Sequence, residues 1–184
     1  MATGRVGYQS LRALLGRVPI VPEEEGTAAL IRRCRGIRRR GELTRAQFLA
    51  MCRWKSPRAL PQYRRNPSAA VRRASRAALG TRSERRRMEH LTRLRGVSVP
   101  MASAILTLID PRRYGVLDIR VWQLLFAVRS VGRNPRGRGF TVAQWLDFLA
   151  ELRGHARALG VSARAVERTL FAYHRRVQHG RLYD

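Results

Sequence analysis

The stretch Leu94-Arg95-Gly96-Val97-Ser98-Val99-Pro100-Met101-Ala102-Ser103-Ala104-Ile105-Leu106 limits the folds open to this chain more than any other. It reads as the end of one helix, a tight turn at Gly96, and the start of a second helix near Pro100. Proline is tolerated in a first turn because its missing N–H has no helical partner there. Asp110-Pro111 ends the second helix, and Asp118 in Val116-Leu117-Asp118-Ile119-Arg120-Val121 stands just ahead of a third. A turn leading into a helix presents backbone groups where anions are favoured. With one carboxylate close by, the pattern suggests chemistry on a nucleotide.

Helical signals recur along the rest of the chain, and strand signals are weak. Pro19 and Pro22 end any early helix. Glu23 to Glu25 open a helix carrying Leu30, Ile31, Cys34 and Ile37, with Arg38 to Arg40 at its end, as the helix dipole favours. Thr44 with Gln47, Thr81 with Glu84 and Thr141 with Gln144 have capping-box spacing. Trp54-Lys55-Ser56-Pro57-Arg58 breaks the helix through Phe48, Leu49 and Cys52, and Asn66-Pro67 reads as a cap and first turn of one closed by Gly80. Val121, Leu124, Leu125 and Val128 form a stripe after Asp118. A basic loop spans Gly132 to Gly139, and the last helix runs from about Ser162 to Val177. These signals predict an all-α protein of about eight to ten helices. Residues 1–184 make either one domain or two small lobes with a cleft between them.

Charge narrows the partners. The chain carries +26, from 38 basic residues against 12 acidic ones. Such a surface attracts polyanions, nucleic acid first, since neutralised phosphates release counterions. Only one basic residue is lysine, Lys55. Cys34 and Cys52 lack metal-ligand spacing, as do His90, His155, His174 and His179, so no metal and no organic cofactor is expected. The cysteines read as buried thiols of a reducing compartment. No apolar run is long enough to cross a membrane, so a cytoplasmic protein is expected; its charge fits the nucleoid, and a monomer is expected.

From Glu84 to about Leu125 the sequence resembles the helix-hairpin-helix DNA glycosylase superfamily, in an endonuclease III-like bacterial branch. The matching features are Leu94, the Gly96-Val97-Ser98 turn, the small residues Ala102-Ser103-Ala104, and Leu117-Asp118. Trp54 to Arg58 and Asp110-Pro111…Tyr114-Gly115-Val116 add to the likeness. The resemblance implies a helix-hairpin-helix helical fold acting on double-stranded DNA. It implies a base excision repair N-glycosylase that hydrolyses the glycosidic bond of a damaged base, with a monovalent cation at the hairpin. Two departures stand out. Ser98 replaces a second glycine, and Pro100 aligns where bifunctional relatives carry a lysine that attacks the sugar. Lys55 is distant in sequence, so a monofunctional enzyme without lyase activity is expected. The alternative is a helix-hairpin-helix protein that binds DNA without chemistry. An RNA-associated role has only the charge in its favour.

The candidate residues each have a plainer role. Asp118 would stabilise an oxocarbenium-like transition state or orient water; it is equally suited to cap the helix at Ile119. Arg95, Gly96, Val97 and Ser98 would contact a DNA phosphate, or form an ordinary turn beside a solvated charge. Trp54, Tyr63, Tyr114 and Trp122 are candidates to stack on an extruded base, though aromatics are more often core. The arginine runs, including Arg85-Arg86-Arg87, would line a DNA track or simply be solvated. Glu84 and Glu167 show no pattern of a second catalytic acid.

Overall fold

The computed structural model describes residues 8–178, and within them there are ten α-helices and no strand. His179 lies outside the described residues. In order the helices are α1 (Leu11–Leu15), α2 (Glu25–Arg40), α3 (Arg45–Lys55), α4 (Leu60–Arg64), α5 (Ser68–Gly80), α6 (Glu84–Thr92), α7 (Val99–Ile109), α8 (Ile119–Ala127), α9 (Val142–Leu159) and α10 (Ala163–Val177). The chain is all-α, as its sequence predicts. No helix among the described residues is long and apolar enough to cross a membrane.

Helix α7 is the centre of the packing. Every residue from Met101 to Ile109 is buried, because the helix is apolar on all sides and meets α2, α3, α6 and α9 around its circumference. Ile105, Leu106 and Leu108 are essentially inaccessible to water, and each such side chain contributes roughly 1.5–3 kcal/mol of burial. Hairpin and acid both hang from this helix. The turn at Gly96 precedes its first residue, and the segment after its last residue leads to Asp118.

Several helix starts form as their spacing dictates. Thr44 with Gln47 and Thr141 with Gln144 make complete capping boxes. Thr81 and Glu84 do not. Helix α6 is capped instead by Ser83, whose hydroxyl accepts from the Arg86 amide. Glu84 is drawn away by its charge: it accepts from Arg87 (2.6 Å), Arg153 (2.8 Å), Arg113 (2.9 Å) and the Tyr114 hydroxyl (2.9 Å). Burial pushes this carboxyl up, but the bonds from Arg153, Arg87 and Tyr114 outweigh it and hold it below its ordinary value. Arg87 is correspondingly buried and structural, donating to the Ala78 carbonyl (2.9 Å) and Tyr114 (3.0 Å), whereas Arg85 and Arg86 stay exposed.

The segment after α3 is more ordered than its prolines imply. Pro57–Ala59 form a 3₁₀ turn and Pro61 sits in the first turn of α4. Asn66 does not cap α5, which begins after Pro67 with no side-chain cap. Its amide is used across the fold, at the hairpin.

Candidate functional site: a hairpin and a cavity joined by one segment

The hairpin closes when the Val97 amide donates to the Leu94 carbonyl at 3.0 Å. Gly96 takes φ +79°, and the Ser98 hydroxyl caps α7 by accepting from Met101. Arg95, Gly96 and Ser98 are exposed. Val97 is not: its side chain is buried and its amide is spent inside the turn, so it anchors the hairpin rather than facing a ligand.

Asn66 clasps the turn from behind. Its Nδ2 donates to the carbonyls of Arg95 and Tyr63, both at 3.0 Å, and its Oδ1 accepts from the Arg95 amide at 2.8 Å. At 3% exposure this amide is fully committed. Tyr63 lies directly under Gly96, where an added Cβ would come within 3.1 Å of the ring and 2.9 Å of Gln62 Cβ. The carbonyls of Leu94 and Arg95 each accept one protein bond, which leaves each a second lone pair for the monovalent cation that the resemblance implies.

Asp118 is reached along a return path. The loop after α7 runs back beside it, and the Leu117 amide donates to the buried Ser103 hydroxyl at 2.8 Å, while that hydroxyl donates to the Pro100 carbonyl at 2.7 Å. Ser103 thus pins the acid's segment to the hairpin end of α7. Gly115 is needed on the way, since a Cβ there would meet Leu152 at 2.5 Å and Glu167 at 2.8 Å.

Both oxygens of Asp118 are engaged. Oδ1 accepts from the Arg120 amide at 3.0 Å, which caps α8, and Oδ2 accepts from Lys55 Nζ at 2.9 Å. Capping therefore leaves half of the carboxylate for other work. The two partners stand 63 positions apart in the chain. Their side chains are 23% and 19% exposed for Lys55 and Asp118, so the pair is accessible rather than sealed. It lies in the wall of a cavity of about 610 Å³, within the range of small-ligand sites. Trp54, Thr27, Glu167 and Phe171 line the same space.

Trp54 is fixed there by its indole N–H, which donates to Thr27 Oγ1 at 3.0 Å, and the Arg164 guanidinium lies 5.6 Å from its ring centre. Glu167 is buried in the wall, accepting from the Val116 amide at 3.3 Å and from Arg164. Complete burial pushes its carboxyl up, against the charge of Arg164. The Arg164–Glu167 pair has i,i+3 spacing on α10 and was readable as such, but the bond to the Val116 amide and the link through Arg164 to Glu23 come from distant parts of the chain.

The other three candidate aromatics do not line this cavity. Tyr63 supports the hairpin and packs edge-on against Phe48. Tyr114 is bonded to Glu84, stacks on Trp145, and borders a separate space of about 370 Å³. Trp122 donates to the Asn134 carbonyl at 2.8 Å and packs on Phe140. Each has found the apolar contact and polar partner that buried rings require. Cys34 and Cys52 are buried free thiols; burial raises both, Cys52 to about 12. Among the described residues no group of three or more His, Cys, Asp or Glu side chains could hold a metal ion.

No protein-family model, curated protein or solved structure matches this chain.

Proposed function

We propose that the protein is a DNA N-glycosylase of base excision repair, acting as a monomer on double-stranded DNA in the bacterial cytoplasm, at the nucleoid. One observation carries the reading: Asp118 opens onto a cavity of about 610 Å³ that also holds the indole of Trp54. A carboxylate fixed beside an aromatic wall suits an extruded nucleoside, whose base stacks while cationic charge develops on the sugar. The exposed hairpin at Gly96 and Ser98 supplies a phosphate contact, and the charge of +26 supplies long-range attraction. Hydrolysis by water oriented at Asp118 is the reaction that the resemblance implies, since Pro100 fills the place of the hairpin lysine.

The test uses duplexes bearing single alkylated, deaminated or oxidised bases, with alkali to cleave at each abasic product. Asp118→Asn keeps an oxygen for the Arg120 amide, and asparagine caps helices as well as aspartate does. The fold should persist while base release falls by about 100-fold or more. Equal release by parent and variant would refute the role of Asp118. Tight duplex binding with no release from any substrate would favour the non-catalytic binding module.

A further inference from the structure

Of 38 basic residues, every one but Lys55 is arginine. A bias toward arginine explains replacement wherever a positive charge is enough. It leaves unexplained the one position where lysine stands. Arginine partners the carboxylates of Glu23, Glu25, Glu42, Glu84, Asp110 and Glu167. Among the described residues Asp118 alone is paired with lysine. If the site needed only a counter-ion, arginine would serve it as it serves the others. An amine differs in one chemical respect: it can give up its proton and attack carbon, which a guanidinium does not do.

The position suits that difference. Lys55 ends α3 in the cavity wall, and its Nζ donates to a carboxylate oxygen at 2.9 Å. Asp118 therefore fixes the amine in the cavity wall, and the ammonium proton passes to water before attack. We propose that Lys55 is an amine nucleophile toward the aldehyde of an abasic deoxyribose, which gives the protein a strand-cleaving lyase activity. This rests on the DNA-repair reading of the cavity. It departs from the monofunctional expectation, whose ground was the distance of Lys55 along the chain.

The steps balance without an oxidant or added cofactor. The neutral amine adds to C1′ of the ring-opened sugar, and loss of water forms an imine. A proton leaves C2′, its electron pair forms the C2′=C3′ bond, and the C3′–O3′ bond breaks with the phosphate as leaving group. Water then hydrolyses the imine and restores the amine.

Full-length protein is mixed with a duplex containing one abasic site, with and without borohydride, and binding is followed separately by anisotropy. The parent should nick the strand and, with borohydride, form a covalent adduct that peptide mass spectrometry places on Lys55. Lys55→Arg keeps the charge and the Asp118 pair, so it should bind the duplex as the parent does while trapping and nicking fall by about 100-fold or more. Lys55→Cys treated with bromoethylamine regains an amine and should regain trapping, since Cys34 and Cys52 are buried. No adduct from the parent overturns the proposal, as does undiminished trapping by Lys55→Arg, which would put the nucleophile at the N-terminal amine. Base release without trapping would refute the lyase alone. Trapping without base release from any damaged duplex would refute the glycosylase reading and leave the lyase standing.

Discussion

Replacing Gly96 with alanine tests whether the hairpin is seated on α4. Gly96 holds φ +79°, a conformation that costs an L-residue roughly 1–2 kcal/mol. The new methyl would also lie 2.9 Å from Gln62 Cβ and 3.1 Å from the Tyr63 ring. Neither neighbour is a free side-chain end, so the turn must lift, at about 1–3 kcal/mol for overpacking. The sum is about 2–5 kcal/mol, or a fall in Tm on the order of 5–15 °C. Gly41, which closes α2, supplies the control. It has the same φ of +79°, yet nothing lies within 4 Å of its added Cβ, so Gly41→Ala should lose only about 1–2 kcal/mol. Urea melts of both variants, followed by helical circular dichroism, isolate the steric contribution as their difference. Duplex anisotropy should show weaker binding for Gly96→Ala and parental binding for Gly41→Ala. Equal destabilisation of the two variants would refute the seating of Gly96 on Gln62 and Tyr63.

Asn66→Ala should cost about 1–2 kcal/mol, because it removes the partner of the half-buried Arg95 amide and carbonyl; hydrogen exchange at Arg95 should quicken, and unchanged protection there would contradict the clasp. His174 should make stability fall with acid: burial, then the Arg120 charge, push its imidazole from 6.5 down to about 4, with Asp118 opposing. The unfolded chain therefore takes up the proton first, so this stability is complete above about pH 6.5 and declines as pH drops toward 4. Between pH 6.5 and 5 the loss should be about 2 kcal/mol by urea titration, and a His174→Asn variant that shows the same slope would rule His174 out as its source.

Local signals were readable in the sequence where neighbours alone decide the outcome. The boxes at Thr44 and Thr141, the proline start of α7 and the cap at Asp118 all follow from side chains within three residues of the groups they bond. Long-range pairing was hidden. Lys55 meets Asp118 across 63 positions, and Asn66 meets Arg95 across 29. Asn66 left an adequate local role for a distant partner, whereas Asp118 kept its cap and took Lys55 as well. Asn66 resembled a cap, and Glu84 the end of a capping box, until charge and tertiary packing drew them elsewhere. The aromatics divide on the same ground. Tyr63, Tyr114 and Trp122 were drawn into the interior, and only Trp54, at the end of α3, reached the cavity.

The Ser103 pin turns α7 into a ruler. Ser103 lies five residues beyond the Ser98 cap, a climb of about 7.5 Å along the axis, and Met101 and Ala102 between them are buried. On the DNA-repair reading, a strand gripped at the hairpin and a sugar presented to the acid's segment have their separation set by this helix. On that reading the two marks stay fixed and it is the DNA that yields. Sites where stacking is already weakened would then be selected by how little work that distortion takes, before any group on the base is read.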